Sequence, residues 1–235
     1  MALVRVLRQG GAFDQPSFQD YHLDPRPGQT VLEALFDILE TQDGSLAFRY
    51  ACRGAVCGSC GMHINGKYRL ACSTQLQDLG ETVVIRPLDH YPVIRDLVVD
   101  MEPFFETLRS IRPYLVNDTP APEGKERLQS PEERKHLDEI IDCVLCACCQ
   151  SACTMALTDP EYLGPAIITK IDRFASDTRD TALADRTASV DSEHGVWRCH
   201  GIFNCAEVCP KNIIQPHAIA KMKRRALRRK ILGRG

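Results

Sequence analysis

At 235 residues and 44% apolar side chains, the chain has room for one large or two modest globular domains. A formal net charge of −2 argues against nucleic acid or an acidic polymer as a partner. With no run of about 18 apolar residues, and no signal core or twin arginine in MALVRVLRQGG, a cytoplasmic chain that does not span a membrane is expected.

The first 100 residues read as short strands around one helix. Leu3–Leu7 and Phe18–Leu23 are apolar-rich strand candidates separated by the turn signal Gly10-Gly11. Thr30 can cap a helix running to about Glu40, with Val31, Leu32, Leu35, Ile38 and Leu39 as its apolar stripe. A cysteine loop follows, Cys52 to Cys60. Met62–Ile64, Asn65-Gly66 and Tyr68–Cys72 then form a hairpin with a type I′ turn, and Val83–Ile85 gives one more strand, stopped at Pro87. Strands wrapped on one helix with a cysteine loop behind it suit a β-grasp ferredoxin.

From Asp100 the strand-like runs stop. NDTPAPEGKERLQ, residues 117–129, is a polar, proline-containing loop that reads as exposed. Ser130-Pro131-Glu132-Glu133 combines a capping box with proline at the first helical position, which predicts a helix to about Cys143. Asp159-Pro160 predicts the start of another, with Ile167, Ile168, Ile171 and Phe174 on its apolar face. A final helix is expected from Pro216 to Leu232. The fold class is therefore α+β, with a β-grasp domain over 1–100 and a helical domain over 101–235.

Twelve cysteines carry the chemistry. In a cytoplasmic chain they read as metal ligands, not disulfides. Cys52-x4-Cys57-x2-Cys60 followed by Cys72 has the plant-type ferredoxin spacing of a [2Fe–2S] site, with Gly54, Gly58 and Gly61 free to fold tightly and aim N–H groups at sulfur. Cys143-x2-Cys146-x2-Cys149-x3-Cys153 has the bacterial spacing, and Cys199-x5-Cys205-x3-Cys209-Pro210 is a damaged copy of it. In such two-cluster arrangements the fourth cysteine of each run serves the other cluster. Cys143, Cys146, Cys149 and Cys209 then hold a [4Fe–4S] cluster. The other site keeps only Cys153, Cys199 and Cys205, because position 202 is Ile202. Three thiolates with an apolar residue in the fourth place predict a [3Fe–4S] cluster. The alternatives are a labile [4Fe–4S] cluster with a non-protein fourth ligand and, for the cysteines at large, zinc. Cys148 is the odd one out, read as a packing cysteine beside the cluster or as a redox-sensing thiol.

These residues resemble the iron–sulfur subunit of succinate dehydrogenases and quinol:fumarate reductases. The likeness lies in Arg53-Gly54-Ala55-Val56-Cys57-Gly58-Ser59-Cys60-Gly61, Cys143-Val144-Leu145-Cys146-Ala147-Cys148-Cys149, Gly195-Val196-Trp197 and Asn204-Cys205-Ala206-Glu207-Val208-Cys209-Pro210-Lys211. It implies a flavoprotein partner with covalent FAD, membrane anchor subunits with or without haem b, and a quinone. It also implies a chain that passes single electrons through [2Fe–2S], [4Fe–4S] and [3Fe–4S] clusters, held peripherally at the cytoplasmic face of the membrane. Ubiquinone-type members follow the fourth cysteine of the first run with proline and tryptophans. Cys153-Thr154-Met155-Ala156-Leu157-Thr158 has neither, which favours menaquinone.

The same resemblance puts His200 and Ile202 near the quinone; the bland reading of His200 is a ring bonded to nearby backbone. Lys221, Lys223, Arg224, Arg225, Arg228, Arg229, Lys230 and Arg234 form a basic run that is either a solvated helix face or a contact for anionic headgroups. The rival classes are a freestanding multi-cluster ferredoxin, an iron–sulfur sensor, and an electron-carrier subunit of another flavin-linked dehydrogenase. The direction, succinate oxidation or fumarate reduction, depends on the potentials of the clusters and the quinone.

Overall fold

The computed structural model describes residues 1–11 and 13–232. Its packing divides the chain into two units that interleave in sequence, where the sequence suggests a single boundary near residue 100. Met1–Pro103, Val144–Ala152 and Val208–Pro210 form the first, and Phe104–Cys143, Cys153–Glu207 and Lys211–Gly235 the second.

The first unit is built on a mixed sheet. β1 (Ala2–Gly10) pairs antiparallel with β2 (Phe13–Leu23) and parallel with the later strand over Thr82–Arg86. α1 (Val31–Thr41) crosses between them, started by a complete Thr30–Glu33 capping box and burying Val31, Leu32, Ala34, Leu35 and Ile38. β3 (Gly61–Ile64) and β4 (Lys67–Leu70) make the expected hairpin, its two-residue turn holding Asn65 at φ 44° and Gly66 at φ 80°. β5 (Thr82–Arg86) completes the centre. Two short strands past Pro87 went unforeseen, β6 (Val93–Arg95) and β7 (Val98–Val99), because three and two residues are too few to show a period. Among the described residues the order is β4-β3-β5-β1-β6-β7, with β2 also on β1. A parallel β1–β5 pair flanked by hairpins and packed on one helix is the β-grasp arrangement.

One residue on the buried face of β1 breaks the apolar alternation. Ala2, Val4 and Val6 point inward, and so does Arg8, with no exposure. Its guanidinium donates to Asp96 (2.9 Å), Gln19 (2.8 Å), Tyr21 (2.7 Å), Ser45 (2.9 Å) and Asp43. Asp96 also accepts the Ala47 amide at 2.9 Å. This paired charge pins residues 43–47, the segment that leads into the cysteine loop.

The second unit is helical. α2 (Glu102–Ser110) begins at the end of the Met1–Pro103 segment and lies mostly in the second unit. The Ser130 capping box forms as expected, but the helix it starts breaks into α3 (Pro131–Lys135) and α4 (Asp138–Ile141), with a turn at 136–137. Two short helices, α5 (Cys148–Ser151) in the first unit and α6 (Thr154–Thr158) in the second, precede α7 (Gly164–Ala175). The helix expected from Asp159-Pro160 starts at Gly164 instead, with Pro165 in its first turn. Asp159 is occupied elsewhere: it accepts the Glu161 amide at 3.1 Å and pairs with His194 and Arg198. α8 (Leu183–Val190) and α9 (Asn204–Glu207) lead to α10 (Gln215–Leu232), as foreseen to within one residue. Arg234 of the basic run lies outside the described residues.

Residues 116–119 are tied to the 177–186 segment through Asp180 and Arg186. Asp180 accepts the Val116 and Ala182 amides at 3.0 and 2.9 Å and pairs with Arg186 at 2.7 Å. Burial pushes the Asp180 carboxyl up, but the Arg186 and amide bonds outweigh it and hold it below the ordinary carboxylate range. Asp180→Asn leaves a buried guanidinium without its counter-charge and should cost the unit about 3–5 kcal/mol in denaturant unfolding. The carboxylate's contribution is complete above about pH 4 and is lost as pH falls through its depressed folded value. The variant should therefore show a flatter acid limb than the parent.

Candidate iron–sulfur sites

The loop between α1 and β3 holds Cys52, exposed, with Cys57 half-buried and Cys60 buried at its end. Buried Cys72 comes from a single 3-10 turn directly after β4. Arg53 (φ 56°), Ala55 (φ 57°) and Gly58 (φ 74°) are left-handed, and such residues turn successive N–H groups inward to form an anion-binding nest. The amides of Gly54, Val56 and Cys57 donate to Cys52 Sγ at 3.4, 3.3 and 3.2 Å. The Ala55 amide donates to Cys72 Sγ at 3.3 Å, and the Cys52 amide to Cys57 Sγ at 3.4 Å. The Cys52 amide and bonds from Ser59 draw the Cys57 thiol down to about 6. Burial pushes the Cys60 thiol up to about 12. Four thiols gathered on inward-turned amides suit a cationic centre that would draw off their protons and be neutralised by them.

The middle of the second cysteine run, residues 144–152, packs against this loop within the first unit. A Cβ at Gly58 would stand 2.6 Å from the Val144 carbonyl oxygen and 3.0 Å from Cys146 Cα. One at Gly61 would meet the Cys146 carbonyl oxygen at 2.9 Å and Cys148 Sγ at 3.3 Å. These two glycines thus let two cysteine-bearing backbones touch. Leu145 (φ 55°) and Ala147 (φ 62°) repeat the alternating left-handed pattern. Cys148 and Cys149 are buried, and Cys143, Cys146 and Cys209 half-buried. The Tyr91 hydroxyl is buried with no hydrogen-bond partner among the described residues. Burial and the electrostatic reach of Cys149, Cys146 and Cys148 raise its pKa.

At the third site Cys153 precedes α6, Cys199 follows a short 3-10 turn over Val196–Arg198, and Cys205 lies in α9. Burial, together with the neighbouring Cys153 and Cys199, pushes the Cys205 thiol up to about 12. Burial and Cys199 raise Cys153 as well. These three sulfurs are electrostatic neighbours. Ile202 is 51% exposed, between left-handed Gly201 (φ 70°) and Phe203 (φ 72°). Lys223 Nζ of α10 donates to the Cys199 carbonyl at 2.7 Å. His200 is exposed, and its ring has no protein partner among the described residues.

The packing units sort the cysteines further. Cys146, Cys149 and Cys209 travel with the first, and Cys153, Cys199 and Cys205 with the second, where Cys143 is the residue just before Val144. Among the described residues no three Cys, His, Asp or Glu side chains close on one point as ligands of a single ion would. A cluster sets its ligands on different irons and needs a ring of thiols instead. The donor set, all free thiols over inward-turned amides, fits iron–sulfur clusters.

A "2Fe-2S iron-sulfur cluster binding domain" family matches residues 3–106, and a "4Fe-4S dicluster domain" family matches residues 139–213. The succinate dehydrogenase iron–sulfur subunit of Coxiella burnetii is 45% identical over 212 residues, 89% of each chain. The chain belongs to the succinate dehydrogenase iron–sulfur subunit family. The mitochondrial succinate dehydrogenase [ubiquinone] iron–sulfur subunit of Candida glabrata is 40% identical over 90% of this chain and 85% of its own. A chain of the Mycobacterium smegmatis Sdh1 complex superposes with a TM-score of 0.86 at 30% identity, covering 97% of this chain and 96% of that one. As a succinate dehydrogenase iron–sulfur subunit, the chain is an electron-transfer component of an oxidoreductase, with a ferredoxin sheet domain before a mostly helical one. The sequence gives no sign of Tyr91, of the bond from Lys223, expected only as part of the basic run, to the Cys199 carbonyl, or of the second role of Gly58 and Gly61. Tyr91 and Lys223 reach the cysteines only through the tertiary fold and leave no local signal. The spacing of Gly58 and Gly61 between cysteines was visible, but the strand of backbone they admit was not.

Proposed function

We propose that Cys52, Cys57, Cys60 and Cys72 hold a [2Fe–2S] cluster, Cys143, Cys146, Cys149 and Cys209 a [4Fe–4S] cluster, and Cys153, Cys199 and Cys205 a [3Fe–4S] cluster. The first lies in the 1–100 domain and the others in 101–235. When bound, such clusters carry one electron each between a flavin and a quinone. The observation that carries the reading is the crossed grouping of the cysteines: Cys209 falls in the same packing unit as Cys146 and Cys149, and Cys153 in the same unit as Cys199 and Cys205.

The chain's own part is positional. The inward amides stabilise anionic sulfur, burial excludes water, and Gly58 and Gly61 bring two cluster loops together. The partners on this reading are a flavoprotein with covalent FAD and membrane anchor subunits. Among the described residues no helix is long and apolar enough to cross a membrane, and we infer peripheral attachment at the cytoplasmic face. The segment after Cys153 points to menaquinone, with His200 and Ile202 on the quinone side. Exposed Leu157, Trp197, Ile202 and Phe203 around the third site suit docking against an anchor. Much of the basic run on α10 is used internally: Lys221 and Arg225 pair with Asp172, Lys223 with the Cys199 carbonyl, and Lys230 with Asp191. Arg224 and Arg228 are exposed on that helix and are the cations best placed for headgroups.

The test is to purify the complex from its native membrane. The expected result is co-purification with a covalently flavinylated chain, about nine non-haem irons and ten sulfides per chain, and reduction of the clusters by succinate. Isolation without a flavoprotein, or about ten non-haem irons, contradicts the reading.

A further inference from the structure

The residue after Cys52 is held by aromatic rings, not by an ion pair. Arg53 is exposed, and among the described residues no carboxylate pairs with it. Its guanidinium carbon lies 4.7 Å from the centroid of the Phe36 ring and 5.4 Å from that of Tyr50. Those rings are themselves fixed. Phe36, on α1, meets Tyr50 edge-on at 4.6 Å and Phe48 at 5.3 Å, and Phe36 and Phe48 pack on the apolar core. Arg53 also stands at φ 56°, a left-handed angle that a residue with a Cβ adopts at a cost. Cation–ring attraction, effective within about 6 Å of a ring centroid, offsets that cost.

We propose that Arg53 is a positioning residue: clamped on Phe36 and Tyr50, it holds the cysteine loop in its nest and so raises the reduction potential of the first cluster. The inference rests on the [2Fe–2S] reading of Cys52. Left-handed Arg53 and Ala55 turn the amides between and after them inward, and those of Gly54, Val56 and Cys57 donate to Cys52 Sγ at 3.4, 3.3 and 3.2 Å. Cys52 is exposed, so no surrounding core keeps its sulfur under these donors. The neighbouring side chain supplies the anchor. Donors to cluster sulfur stabilise the more negative, reduced state, and a loop that drifts from them lowers the potential. The cation itself acts in the same direction. Phe36 carries no charge, so removing its ring separates position from charge.

Redox titration of the purified complex, followed by EPR, tests this with Phe36→Leu, Arg53→Ala and the two together. The leucine variant keeps an apolar side chain on the core and the charge of Arg53, and loses the ring beneath it. It should shift the first cluster's reduction equilibrium about fivefold toward the oxidised state, about 40 mV for one electron, with the other two clusters unchanged. Arg53→Ala should shift it at least as far, and adding Phe36→Leu should shift it no further. An unshifted leucine variant means that Arg53 acts through its charge alone, and overturns the proposal. A leucine shift that persists in full without Arg53 also overturns it, because Phe36 then acts by its own packing. If Phe36→Leu does not assemble the cluster, Tyr50→Leu, at a half-exposed ring, takes its place under the same criteria. If Arg53→Ala does not, Arg53→Gly, which adopts φ 56° freely, serves as the background. Absence of a [2Fe–2S] signal in the parent complex instead sinks the ligand reading beneath it.

Discussion

Ile202→Cys is expected to convert the third cluster from three irons to four. The substitution restores the spacing 199-202-205 and puts a thiol where the proposed set has none. The site has room, because Ile202 is half exposed and sits between two left-handed residues in a loop. No core packing is lost. The added thiolate brings one more negative charge, which lowers the potential, and each 60 mV or so is about tenfold in a one-electron equilibrium. Electron delivery to quinone should fall by about that factor or more, with succinate-dependent reduction of the first two clusters preserved. EPR of the oxidised complex should lose its three-iron signal. Persistence of that signal with normal quinone turnover would mean that position 202 does not face the cluster.

Gly58→Ala should do the greatest structural damage for the smallest chemical change. An alanine at φ 74° costs about 1–2 kcal/mol from the left-handed backbone alone. Its Cβ would then overlap the Val144 carbonyl oxygen at 2.6 Å, and that neighbour is backbone with no rotamer to escape through. The Val144–Cys146 segment must move, taking Cys146 with it. Iron content should fall, and the middle cluster should be lost or substoichiometric while the sheet stays folded. Gly54→Ala is the matched control. Gly54 is not left-handed, and its nearest contact is the Cys52 carbonyl at 3.7 Å, so that variant should assemble normally. Equal iron content in both variants would refute the close-approach role of Gly58.

Local chemistry was legible wherever it decides structure alone. The Thr30 and Ser130 capping boxes and the Asn65-Gly66 turn were readable, because each motif satisfies its own backbone groups within four residues. The start of α7 was not, because Asp159 has the composition of a cap but is recruited by His194 and Arg198, 35 and 39 positions on. Arg8 shows the same limit: the strand expected over Leu3–Leu7 stops short of it, and only the fold supplies the carboxylates that bury it. The candidate sites were legible to the level of cysteine spacing. What lies around the sulfurs, Tyr91, Lys223 and the close approach of Gly58 and Gly61 to residues 144–148, arises from segments distant in the chain that spacing does not encode.

EPR of the purified complex through a redox titration decides whether the relay ends on three thiolates. Three centres are expected: a three-iron signal in the oxidised protein that disappears on reduction, and two further signals, from [2Fe–2S] and [4Fe–4S] clusters, that appear as the potential is lowered. An oxidised protein with no three-iron signal, alongside two four-iron centres on reduction, rules out the three-thiolate terminus.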